Sequence, residues 1–159
     1  CTPLVMAFNT DSVLSDELVD LRVASHPFRL LSNVEAHLKF QQPLMTPLSM
    51  LHKSIRDSLA GKEVFDFGLA VQPGVFEFSD CHCVLPTSLT VAYAIAAATS
   101  GRANRIYLAG FDGYSTNDPR NAEVDDLLAR FFDTGGVPEI LTITPSRFSV
   151  RAVSVFSLS

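Results

Sequence analysis

The stretch from Pro86 to Tyr114, PTSLTVAYAIAAATSGRANRIYLAGFDGY, constrains the fold more than any other part of the chain. Its first half is mostly Ala, Val and Thr between a Pro-Thr-Ser start and Gly101, which predicts a helix from Pro86 to Ser100. Side chains that small let a helix lie close against a sheet. The second half, Arg105–Ala109, predicts a short buried strand, and it ends at once in Gly-Phe-Asp-Gly-Tyr. A helix feeding a buried strand is half of a βαβ crossover.

The same alternation runs along the rest of the chain. Leu4–Phe8 and Leu21–Ala24 predict strands, with Ser15-Asp16-Glu17 opening a short helix between them. Ser32–Phe40 and Ser49–Leu59 have the spacing of amphipathic helices, and Gly61 closes the second. Val64–Val71 and Val75–Phe78 are strand-like around Gln72-Pro73-Gly74, which predicts a hairpin. Asn121–Phe132 predicts a helix, Gly135-Gly136 a break, and Glu139–Thr144 and Val153–Phe156 two final strands. Leu4–Phe8 and Arg105–Ala109 are apolar throughout most of their length, so both are expected near the centre of the sheet. The pattern is α/β and three-layered, with a mostly parallel central sheet. No repeat, low-complexity tract or linker divides residues 1–159, which predicts a single domain.

Charge and composition exclude several classes. A net charge of −5 with scattered Lys and Arg does not suit a nucleic-acid surface. No apolar run reaches the roughly 18–20 residues of a membrane span. Three cysteines, an odd number, give no disulfide framework and point to a reducing cytoplasm. The start CTPLVMAFNT lacks an initiator Met, a basic n-region and a cleavage pattern, so the chain is expected to be a C-terminal fragment of a longer protein.

In open parallel sheets, ligands bind beyond the carboxyl ends of the strands. Asp112, between Gly110 and Gly113, is placed there to hold a ribose or sugar hydroxyl or a metal, or else to serve as a turn residue. Thr87 and Ser88 open the long helix, where free N–H groups suit a phosphate; ordinary N-capping is the alternative. His26, in Ala-Ser-His-Pro-Phe, follows a strand end. Arg120 and Asn121 follow Asp118-Pro119 at a helix start, as candidates for substrate contact. Cys81-His82-Cys83 cannot easily converge on one metal from a strand, because Cys81 and Cys83 would share a face and His82 would oppose them. No Ser/His/Asp or Cys/His triad can be placed, so no catalytic residue and no metal ligand is assigned.

The residues TSLTVAYAIAAATSGRANRIYLAGFDGY resemble the central helix–strand unit of bacterial sialyltransferases with a variant Rossmann fold. They are also similar to hydroxymethylpterin-pyrophosphokinase-like domains. The resemblance implies a Rossmann-like fold and a cytidine nucleotide sugar held by an Asn, matched here by Asn9 in LVMAFN. It also implies a Thr-Ser pair near the phosphate, matched by Thr87 and Ser88. The chain departs from that pattern in three places. Leu89 stands where the family has Gly, Ser115–Asp126 lacks the family's catalytic His, and the family's first strand and glycine-rich turn do not precede Leu4.

IYLAGFDGY, DPRNAEVDDLLARF and ITPSRFSV together resemble the C-terminal module of longer bacterial proteins. Their N-terminal part is a barrel of the 4-hydroxy-2-oxovalerate aldolase and HMG-CoA-lyase type, often in surface-polysaccharide pathways. Such a barrel takes about 250 residues, and the family's His-x-His and Arg-Asp-Gly metal residues do not occur here. The resemblance thus implies a lyase parent whose barrel holds a divalent metal, with no cofactor in this chain.

The reading that follows is an accessory domain binding a nucleotide or nucleotide-sugar-like ligand through Asn9, His26, Thr87, Ser88, Asp112, Tyr114 and Arg120. Its other partner would be an aldolase-like domain of the same chain. A sialyltransferase-like glycosyltransferase and a structural module forming homo-oligomers are the alternatives.

Overall fold

The computed structural model describes residues 2–10 and 14–157 of the chain. Strands β1 (Met6–Phe8) and β2 (Leu21–Val23) are followed by helices α1 (Pro27–Ser32) and α2 (Val34–Lys39). Strand β3 (Leu44–Thr46), helix α3 (Lys53–Ser58) and strand β4 (Val64–Asp66) come next. The four strands form one all-parallel sheet in the order β1-β2-β3-β4, with Phe8 opposite Val23 and Thr46 opposite Asp66.

After Phe67 the chain continues as β5 (Gly68–Val71), β6 (Glu77–Phe78) and β7 (His82–Leu85). β7 pairs in parallel with β5 and antiparallel with β6. Helix α4 (Thr90–Ser100) packs on β1, β6 and β7. Strand β8 (Arg105–Leu108), helix α5 (Arg120–Asp133) and strands β9 (Glu139–Thr142) and β10 (Arg151–Ala152) complete the chain, with β9 between β8 and β10 in a parallel ladder.

Side chains alternate across the strands, so the two faces bury separate cores. Leu21 and Val23 join Cys83, Leu85, α4 and the apolar stripe of α5. On the opposite face Leu44 joins Ala24, Leu30 of α1 and Leu51, Ile55 and Leu59 around α3. Helices on both faces of mostly parallel strands make this a Rossmann-like α/β fold, as the alternation predicts. Among the described residues, no helix is long and apolar enough to cross a membrane.

Several local expectations are corrected. Gln72-Pro73-Gly74 does form a turn, with Gly74 at φ 81° and the Val75 amide donating to the Gln72 carbonyl, but it does not make a hairpin. β7 inserts between the two strands that the turn joins, because pairing there buries Cys83 and Leu85. The antiparallel turn comes later, where the Ser79 amide donates to the His82 carbonyl at 2.8 Å. β1 and β8 are terminal strands of separate ladders rather than central neighbours. Their apolar residues are largely half-buried, which a short run cannot distinguish from burial on both sides.

Val153–Phe156 is not a strand: Val155–Ser157 form a 3-10 turn, and Val155 and Phe156 are exposed. The helix expected at Ser32–Phe40 begins at Pro27 and breaks at Asn33 into α1 and α2. Ser49–Leu59 splits likewise into a 3-10 turn and α3, which His52 caps by accepting from the Ser54 amide at 3.3 Å. β3 escapes a sequence reading because its three residues sit between Pro43 and Pro47.

His37 on α2 is buried, and its Nδ1 has no hydrogen-bond partner. Burial above all, then the nearby Lys62 and Arg22 charges, hold its pKa below the ordinary histidine value of 6.5. The unfolded chain therefore takes up a proton before the folded one does. His37 leaves stability untouched above about pH 6.5, and stability falls as pH drops through that value toward the lower folded pKa. Urea midpoints between pH 7 and pH 5 check this: the wild type should lose more stability over that range than His37→Gln.

Candidate functional site

β1 and β2 are parallel neighbours, so Asn9 and the Ala24–His26 segment leave the sheet at the same edge. β5 continues from β4 and is parallel to β7, which brings the chain after Leu85 to that edge as well. Three segments therefore meet there by topology, as the rule for open parallel sheets requires.

Asn9 follows β1 with φ 53°, a left-handed backbone that Asn tolerates better than most residues. Its amide donates to the Val23 carbonyl at 2.8 Å, fixing it beside β2. Its side-chain Oδ1 is buried with no hydrogen-bond partner. Ser25, buried just past β2, lies with its hydroxyl 3.4 Å from that of Thr90, the first residue of α4. His26 sits at the N-cap position of α1 but its side chain caps nothing; the ring lies 5.8 Å from that of Phe28.

The helix start expected at Pro86 is corrected. α4 begins at Thr90, with Leu89 still extended at φ −61° and ψ 131°, because β7 runs on to Leu85 and the chain needs four residues to turn back onto the sheet. Thr87 and Ser88 therefore lie in the β7–α4 loop and cap nothing. Thr87 instead donates to the Glu123 carboxylate on α5 at 3.4 Å, and Ser88 is exposed.

The loop after β8 forms a second group. Its backbone is held by the β9–β10 connection: the Gly110 amide donates to the Thr144 hydroxyl at 2.9 Å, and the Ser146 hydroxyl donates to the Phe111 carbonyl at 2.7 Å. Gly113 is favoured by its conformation, at φ 106°, and a Cβ there would displace the exposed Arg147 side chain, whose Cδ would lie 2.3 Å away. Asp112 is exposed, and its carbonyl accepts from the Arg147 amide at 3.4 Å. Among the described residues, no hydrogen bond or ion pair joins Asp112 to Asn9, Thr87 or Ser88.

The start of α5 gathers this loop. Asn121 is buried and uses both ends of its amide, accepting from the Tyr114 amide at 2.9 Å and donating to the Ser115 carbonyl at 2.8 Å. The Arg120 guanidinium stacks on the Tyr114 ring, 4.0 Å from its centroid. It also pairs with Asp118 through Nε at 2.9 Å and Nη2 at 2.5 Å. Those side-chain bonds, and then the Arg120 amide, hold the Asp118 carboxyl down at about 2, so it is an anion at any ordinary pH.

The expected residues thus fall into two groups, Asn9 with His26, and Tyr114 with Arg120. Residues 87–90 connect them, since Thr87 reaches α5 and Thr90 reaches Ser25. Sequence reasoning missed Ser25, Thr90 and Glu123, and took Asn121 for a ligand contact rather than the brace it is. Only the hydroxyl of Ser25, just past a predicted strand end, carried a signal; Thr90 fell inside the helix expected from Pro86.

Among the described residues, no Ser or Cys side chain at this edge is hydrogen-bonded to a His. The Ser79–His82 pair, 2.7 Å apart, sits at the opposite end of β7, where Ser79 also donates to the His82 carbonyl and closes the turn. Cys81 lies just outside β7 and is exposed, whereas Cys83 is buried within it. Burial pushes the Cys83 thiol up to about 12, which makes it inert. Among the described residues no cluster of three His, Cys, Asp or Glu side chains could hold a metal. No family model, no curated protein and no solved structure matches the chain.

Proposed function

We propose that the chain is a binding module that takes a nucleotide or nucleotide-sugar-like ligand at the carboxyl edge of its parallel strands, as an accessory domain of an aldolase-like enzyme. The observation that carries the reading is Asn9: a buried side-chain oxygen without a partner, on a left-handed backbone, at the edge where such sheets bind ligands. A buried polar atom left alone costs stability, and a ligand donor would satisfy it. A cytosine or sugar N–H or O–H supplies that donor. The Ser25 and Thr90 hydroxyls and the Arg120–Tyr114 stack offer further polar and planar contacts on either side of residues 87–90.

Asn9→Gly tests this cleanly, because Gly keeps the left-handed backbone while removing the orphaned amide. Isothermal titration with cytidine 5′-monophosphate should show binding by the wild type and a loss of about tenfold or more in the variant, the size of one good hydrogen bond. The melting temperature should stay the same or rise. Absence of binding by the wild type to cytidine and uridine nucleotides and their sugar conjugates would end the proposal.

A further inference from the structure

Arg22 is the largest side chain that the fold buries completely, 2% exposed in the middle of β2. Leu21 and Val23 face α4, so Arg22 lies on the other side of the sheet, beside Leu44 and away from the Ser25–Thr90 contact. A buried guanidinium is costly unless its donors are satisfied, and the satisfaction here is uneven. Nη2 donates to the Asp16 carboxylate at 2.6 Å, Nη1 donates to the Asn9 carbonyl at 3.3 Å, and the Phe40 ring centroid lies 3.5 Å from Cζ. Nε is buried with no partner at all.

The Nε–H and one Nη2–H of an arginine point the same way and form a fork that matches the two oxygens of a carboxylate or phosphate. Asp16 uses one tooth of that fork and leaves the other empty. The neighbouring donors are already engaged. Gln42 donates to the Asp16 main-chain carbonyl at 2.5 Å while its own Oε1 is buried without a partner. The Lys62 ammonium donates to the Phe40 carbonyl, and burial followed by the Arg22 charge lowers its pKa. Glu63 lies near Lys62, but among the described residues the carboxylate that touches Arg22 is Asp16, which is 57% exposed. Outside this contact runs an open groove of about 440 Å³ lined by Ser15, Asp16, Glu17, Lys39, Gln41 and Gln42.

We propose that Arg22 is the floor of an oxyanion site that takes a small-molecule carboxylate or phosphate on its Nε/Nη2 fork, and that Asp16 is an internal anion filling half of that fork until the ligand displaces it. Displacement is easy on the protein's side, because the exposed Asp16 carboxylate regains water when it leaves. The groove supplies the way in, with Lys39 offsetting the Glu17 charge at its rim. The site meets the nucleotide reading only at Asn9, whose main-chain carbonyl accepts from Arg22 while its side-chain oxygen carries that reading.

The arginine Nε–Hε resonances of the folded protein report on the fork directly. Inorganic phosphate, titrated at constant ionic strength, should shift the Arg22 Nε–Hε signal downfield to saturation, and acetate should do so more weakly. Chloride should not. Asp16→Asn should bind phosphate about tenfold more tightly, because a neutral amide competes less well than a carboxylate for the guanidinium. In Arg22→Lys, which keeps the charge but lacks the fork, the thermal shift produced by phosphate should vanish. If that variant does not fold, the wild-type and Asp16→Asn titrations still decide. An Arg22 Nε–Hε signal that ignores phosphate in both folded proteins, or responds equally to chloride, overturns the proposal. Equal phosphate affinity with and without the Asp16 carboxylate overturns the internal-anion part of it.

Discussion

Replacing Phe131 with alanine should cost about 3–5 kcal/mol, the usual range for deleting a fully buried aromatic. Phe131 is wholly inaccessible on the inner face of α5, and its ring stands edge-on to that of Phe76 at 5.5 Å. It closes the apolar stripe Val124, Leu127, Leu128 and Phe131, whose spacing of three and four residues holds α5 against the core. The hole left behind cannot collapse readily, because α4 and the strands already pack close to it. In a domain of this size the loss corresponds to a fall in melting temperature of roughly 10 °C. Phe132, next along the chain, is 46% exposed, so Phe132→Ala should cost about 1 kcal/mol or less. Differential scanning calorimetry on the two variants separates the inner face of α5 from the outer one. Similar losses from both would show that α5 is rotated from the arrangement described.

The same residues show what a sequence can and cannot reveal. The α5 stripe was legible because helical periodicity depends only on the chain's own spacing. The small residues of α4 were legible for the same reason, and Ala92 and Ala96 are indeed fully buried. The start of α4 was not, because Pro86, Thr87 and Ser88 carry every local mark of a helix cap. What moved the helix on to Thr90 was the pairing of β7 with β5, a contact with a segment more than a dozen residues away. The hairpin failed in the same manner, since correct turn chemistry cannot say which strand will fill the space beside it.

The candidate site follows the same division. Asn9 and His26 could be placed at one sheet edge by topology alone, and Arg120 at a helix start, whereas Thr87 was expected at a helix start that the fold moves on to Thr90. That Asn121 braces the Tyr114 loop, and that Thr87 reaches Glu123, depends on how α5 settles against the β7–α4 loop. Arg22 was the least legible of all. An arginine between Leu21 and Val23 looks like the wet side of a two-layer sheet. Only the helices on both faces turn it into a buried charge, and only its half-filled fork makes that charge informative.

Tyr93→Phe should lower stability by about 1–3 kcal/mol, the cost of leaving a buried carbonyl without its donor. The hydroxyl of Tyr93, fully buried in α4, donates to the carbonyl of Phe67. Phe67 is where one long strand changes partners: its amide still donates to Thr46 of β3 at 3.3 Å, while the next amide, of Gly68, already donates to the Cys81 carbonyl at 2.8 Å. The Phe67 carbonyl belongs to neither ladder, so the helix supplies the donor that the sheet cannot. Burial raises the Tyr93 phenol well above its ordinary range, so it stays protonated and able to donate. The substitution keeps the ring, including its tilted contact with Phe67 at 5.6 Å, and so removes the hydrogen bond and little else. Native-state amide exchange should then quicken at Phe67 and Gly68 more than at Leu44, whose amide donates to the Glu63 carbonyl at the other end of the β3–β4 pairing. Because Tyr93 lies one turn after Thr90, cytidine 5′-monophosphate affinity should fall as well, as the start of α4 loses its fixed height above the sheet. Unchanged exchange at Gly68 would mean that packing alone holds the partner change in place.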